Sequence, residues 1–128
     1  NDGVARNQSV LDVKGLIGKT IVTGKKSSKV HLISDKNFAV SVKIGENMDR
    51  AIFKPDLGKR GFLEGVIKSA KIKNGDIIYT SGLGEIYPPD IPVCKVISVN
   101  DDSDKPYLNV IVEILADLSN LNYVFIIQ

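Results

Sequence analysis

The sequence predicts an all-β fold, and three observations carry that expectation. Apolar and polar residues alternate with a period of two from one end of the chain to the other, the apolar positions are dominated by Val and Ile, and short runs are separated by turn-forming clusters. At 128 residues with 43% hydrophobic and 25% charged residues of both signs, the chain can bury a core and keep a charged surface.

Taken in order, the strands are expected over Ser9 to Asp12, Leu16 to Gly24, Lys29 to Ser34, Phe38 to Ile44 and Ala51 to Lys54. They continue over Gly61 to Ile67, Asp76 to Thr80, Val93 to Asn100, Tyr107 to Ile114 and Tyr123 to Ile127. Turn chemistry separates them at Val13-Lys14-Gly15, Ser34 to Asn37, Asp56-Leu57-Gly58, Lys73-Asn74-Gly75 and Asn100 to Asp104. Only Ala116 to Asn120 has a helix-compatible composition, and it is too short to count.

Three segments echo each other in the same order. Asn7 to Leu11 resembles Asn74 to Ile78, Ile17 to Ile21 resembles Val93 to Ile97, and Ala39 to Ile44 resembles Asn109 to Ile114. The echo suggests duplication of a unit of about sixty residues. It implies two small, related, six-stranded-type barrel or sandwich modules packed together, 1–70 and 71–128, with exchange of strands between them left open. Closing each sheet would remove exposed edges.

Composition narrows the function classes. Seventeen basic against fifteen acidic residues leave a net charge of +2, and apart from Lys25, Lys26 and Lys29 the lysines are scattered, a weak footprint for nucleic acid, which is not expected as a partner. No apolar run approaches the length that spans a bilayer, and there is neither a signal peptide nor an initiator methionine, so the sequence reads as an excised soluble piece. The single Cys94 lies among apolar strand residues and is expected to be a buried small side chain.

Motifs that suggest chemistry fail on inspection. Gly18-Lys19-Thr20 resembles the end of a phosphate-binding loop, but Val13 stands where its first glycine belongs and the β-branched Ile21-Val22-Thr23 follows in place of a helix. Gly82-Leu83-Gly84 opens a dinucleotide fingerprint whose third glycine is replaced by Tyr87. A trypsin-like hydrolase needs a triad, yet His31 falls on the polar side of an alternating run, and Ser81 lacks a preceding glycine. One histidine and one cysteine cannot build a zinc cluster, and Asp101, Asp102 and Asp104 lack the glycine and terminal glutamate of a calcium loop. Neither metal nor cofactor is expected, and a glycan-binding module would want more aromatics than four Phe and four Tyr without Trp.

The stretch Gly75-Asp76-Ile77-Ile78-Tyr79-Thr80-Ser81-Gly82-Leu83-Gly84-Glu85-Ile86-Tyr87-Pro88-Pro89-Asp90-Ile91-Pro92-Val93 resembles the bacterial rod-shape-determining MreC family. That family carries a Gly-Asp pair, a strand into Thr-Ser-Gly, a glycine-containing turn, an aromatic before Pro, and Ile-Pro-Val. The likeness extends to Gly15 to Lys19, Ser28 to Asp35, Gly61 to Gly65 and Leu118 to Val124. Glu85, Asp90 and Cys94 stand where the family favours glycine. The resemblance implies a non-catalytic scaffold of cell elongation in the periplasm, anchored through an N-terminal membrane helix absent from this sequence. Implied partners are a class B penicillin-binding transpeptidase, MreD, the actin-like MreB system and further copies of itself.

Within that stretch, Gly75, Asp76, Thr80, Ser81, Gly82 and Gly84 are expected to shape turns. The connection from Gly82 to Pro92 is longer than its counterpart in the first half, and extra loop length often carries function. Leu83, Ile86, Tyr87, Pro88, Pro89 and Ile91 are therefore the candidate partner-binding residues. Ile86 and Tyr87 have a second reading, in which they fold back to plug the end of a barrel.

Overall fold

The structure is a computed structural model, and it describes residues 8–22, 28–45, 47, 49–83, 87–119 and 124–127. All ten expected strands form: β1 (Ser9–Leu11), β2 (Leu16–Val22), β3 (Ser28–Leu32), β4 (Val40–Ile44), β5 (Asp49–Pro55), β6 (Arg60–Glu64), β7 (Ile77–Thr80), β8 (Pro92–Asn100), β9 (Asn109–Ile114) and β10 (Phe125–Ile127). No helix occurs among the described residues. The strands divide into a four-stranded antiparallel sheet, β10-β1-β2-β3, and a closed six-stranded barrel, β4-β5-β6-β9-β8-β7.

Burial along the barrel strands follows the period-two pattern. β4 points Val40, Val42 and Ile44 inward, β5 Ala51 and Phe53, and β9 Val110, Val112 and Ile114. Register slips between Ile78 and Tyr79 and between Val96 and Ser98 kink β7 and β8, increasing the local twist that barrel closure needs. Cys94 is fully buried on β8, where desolvation pushes its thiol pKa well above the ordinary value.

The all-β expectation holds, and a closed barrel is joined by a second sheet, but these two units are not the two halves of the chain. A boundary at residue 70 falls inside the barrel, which takes β4 to β6 from one side of it and β7 to β9 from the other. Ala39 to Ile44 and Asn109 to Ile114, assigned by the echo to different modules, supply two strands of one barrel. Ile17 to Ile21 and Val93 to Ile97 lie in different sheets, as strands of two separate units would. The echo has a plainer cause: any half-buried strand rich in Val and Ile repeats the same two-residue pattern, whatever sheet it joins.

Sheet and barrel share one core, in which Val10, Leu16, Ile17 and Ile33 cluster with the barrel interior. Asp12 fastens them at the surface. One of its carboxylate oxygens accepts the Lys14 and Gly15 amides at 2.8 and 2.9 Å, and the other accepts the Asp117 amide at 2.8 Å. Gly15 is needed for close approach, since a Cβ there would stand 2.5 Å from the Pro92 carbonyl oxygen.

Candidate functional site

The connection between β7 and β8 is built around Thr80, the last residue of β7, which is fully buried. A β-branched residue with a hydroxyl suits this place, because it ends a strand and still offers the loop a hydrogen-bonding group. Its Oγ1 donates to the Pro88 carbonyl at 2.7 Å and accepts the Ile91 amide at 2.9 Å. Its backbone adds two bonds, Thr80 N–H to the Ile91 carbonyl at 2.8 Å and Asp90 N–H to the Thr80 carbonyl at 3.0 Å. One residue thus satisfies both flanks of the returning chain.

Ser81 continues the pinning. Its Oγ lies 2.8 Å from the Ser41 Oγ on β4 and accepts the Leu83 amide at 3.1 Å. Gly82 has φ of +80°, and a Cβ there would stand 2.8 Å from the Pro89 Cβ, so the chain reversal requires glycine. Asp90 has φ of +70°. Aspartate tolerates that conformation better than most residues, and its carboxylate forms an ion pair with Lys43 of β4.

The expected partner-binding residues separate into two groups. Tyr87, 8% exposed, packs its ring on Phe38 with centroids 6.0 Å apart, and Ile91 is also buried. Phe38 in turn meets Phe53 of β5 at 6.4 Å and the His31 ring at 5.5 Å. Tyr87 therefore plugs the barrel end beside the sheet, and its burial pushes the phenol pKa well above the ordinary tyrosine value. Leu83, Pro88 and Pro89 are exposed, whereas Ile86, Gly84 and Glu85 lie outside the described residues. Lys25 and Lys26 also lie outside them.

His31, expected on the polar side of its strand, is half-buried and packs edge-on against the Phe38 ring. The alternation around it places residues correctly on opposite sides of β3, but β3 is an edge strand whose Val30 is the exposed side chain. Gly75 and Asp76 shape a turn at the other end of β7. The Asp76 carboxylate accepts the Lys73 amide at 3.0 Å, and Gly75 has φ of +93°. The Asp76 turn borders an open cleft of about 550 Å³ with Ile44, Asp49, Lys71 and Lys73. The turn residues of the motif therefore serve two places, not one site. Sequence reasoning missed Lys43, Ser41 and Phe38, because each acts on a loop far along the chain and no local pattern marks such a pairing.

The family model for "Rod shape-determining protein MreC, barrel core" matches residues 1–128. The chain belongs to the MreC family. Cell shape-determining protein MreC of Haemophilus influenzae is 34% identical over 128 residues, covering 98% of this chain and 36% of the relative. The chain thus spans about a third of that relative's length. Among solved structures, MreC from Pseudomonas aeruginosa superposes with a TM-score of 0.91 at 33% identity, over 100% of this chain and 83% of the other. MreC in a complex between penicillin-binding protein PBP2 and MreC from Helicobacter pylori gives 0.74 at 26% identity, over 92% and 74%. The major periplasmic domain of the cell shape-determining filament MreC gives 0.70 at 25%, over 91% and 73%.

Proposed function

We propose that this chain is the periplasmic β region of a non-catalytic scaffold that maintains cell shape by binding and organising a class B penicillin-binding transpeptidase in peptidoglycan synthesis. The observation that carries this reading is the solved complex of a fold-sharing MreC with a penicillin-binding protein. An N-terminal membrane helix ties the region to the inner membrane, and MreD, the MreB system and further copies of the chain complete the assembly.

The exposed part of the β7–β8 connection, Leu83, Pro88 and Pro89, supplies partner contacts, and Tyr87 and Ile91 support them from beneath. Two prolines and the Thr80 pin keep this surface ordered before binding, which lowers the entropy cost of association. A scaffold role also fits the engagements of the two residues a hydrolase would use. The Ser81 hydroxyl bonds Ser41 and the Leu83 amide, and the His31 ring packs on Phe38.

Co-purification of this chain with the membrane-proximal, non-catalytic region of its transpeptidase tests the proposal. A stoichiometric complex supports it. No complex at micromolar concentrations, or fold-dependent labelling of Ser81 by a serine-directed covalent probe, overturns it.

A further inference from the structure

We infer that the docking surface extends from the loop onto the outer face of β7, with Tyr79 at its centre, and that it takes an apolar face of the transpeptidase rimmed by carboxylates. This rests on the scaffold reading above. β7 alternates outward Ile77 and Tyr79, 38% and 39% exposed, with inward Ile78 and Thr80. The other barrel strands put charge on their outer faces: Lys43 on β4, Arg50 and Lys54 on β5, Arg60 and Glu64 on β6, Lys95 on β8 and Glu113 on β9. Among the described barrel strands, β7 alone fills its outward positions with exposed large apolar side chains.

Scattered exposed apolar residues are ordinary, and it is continuity that gives these two meaning. Tyr79 lies across from Pro92 on β8, and Pro92 follows directly on the loop whose Pro89 closes over Gly82, next to exposed Leu83. Ile77, Tyr79, Pro92, Pro89 and Leu83 thus run on from the proposed contact loop. The tyrosine offers a large apolar area with a polar tip at low rotamer cost, as interface centres commonly do.

Charge sets the kind of partner. Lys43, beside Tyr79, is neutralised by Asp90. Lys95, between Ile77 on β7 and Glu113 on β9, and Arg50, across from Lys43, take part in no ion pair among the described residues. Two cations held in no ion pair, flanking an apolar centre, fit carboxylates at the rim of the partner, an arrangement that speeds encounter at low salt.

The test is binding of the chain to the transpeptidase's membrane-proximal region, measured by biolayer interferometry for wild type, Tyr79→Ser, Ile77→Lys, Lys95→Glu and Leu83→Ala. Unfolding midpoints are measured on the same samples. The expected result is about a tenfold rise in Kd for Tyr79→Ser and for Ile77→Lys with midpoints near wild type, and a slower, less salt-sensitive on-rate for Lys95→Glu. Weakening by Leu83→Ala alone, with Tyr79→Ser and Ile77→Lys binding as wild type, overturns the β7 surface and leaves the scaffold reading standing. Absence of wild-type binding overturns both. If Tyr79→Ser instead abolishes self-association in sedimentation with partner affinity unchanged, the occupant is a second copy and the inference fails.

Discussion

Thr80 holds Pro88: the threonine hydroxyl donates to the proline carbonyl at 2.7 Å from a fully buried position at the end of β7. The same oxygen accepts the buried Ile91 amide, so removing it strands groups on both sides of the loop. Thr80→Val preserves shape and deletes the hydroxyl. The expected cost is about 1–3 kcal/mol in urea unfolding, that of leaving a buried donor unmet. Thr80→Ser should recover most of it. A Thr80→Val protein as stable as wild type would remove Thr80 from its pinning role.

Tyr87 serves the core before it serves any partner. Truncation to alanine empties a site packed on Phe38, and about 3–5 kcal/mol is expected by analogy with other buried aromatics. Thermal unfolding checks this. Partner affinity measured on the protein that remains folded should fall less than it does for truncation of exposed Leu83.

Cys94 gives a probe of barrel opening. Its thiol is buried within β8, with a pKa raised by desolvation, so little thiolate exists and none is accessible. A thiol-reactive chromophore should label it only after unfolding, at a rate that follows denaturant. Immediate stoichiometric labelling of the native protein would contradict the closed barrel.

Asp117 is partly exposed, and the Ser119 hydroxyl, followed by the Ser119 amide, holds its carboxyl below the usual aspartate value. A depressed folded pKa contributes stability above the unfolded value, near 3.9, and loses it as pH falls through the folded one. Ser119→Ala should therefore raise the Asp117 midpoint in an NMR titration. An unchanged midpoint would assign the shift elsewhere.

The sequence makes the strands legible because alternation is a local signal: residues such as Val40, Val42 and Ile44 declare their faces without reference to any partner strand. The sheet order was not legible for the same reason. Val110 and Val42 carry the same pattern and cannot say whether they share a barrel, and so the echo assigned them to different units although they belong to one barrel. At the candidate site, the glycine and proline chemistry around Gly82 and Pro89 pointed to a shaped loop. The Lys43–Asp90 pair and the stacking of Tyr87 on Phe38 join residues distant in sequence, and nothing local announces them.

On the proposed function, the β7–β8 side of the barrel receives the transpeptidase. Backbone amide shifts of the isotopically labelled chain, followed while the partner's non-catalytic region is added, test it most directly. Saturable shifts or line broadening are expected at Leu83, Asp90, Tyr79 and Lys95, with little change in β1 and β2. No change at saturating partner, or changes confined to the four-stranded sheet, would contradict it.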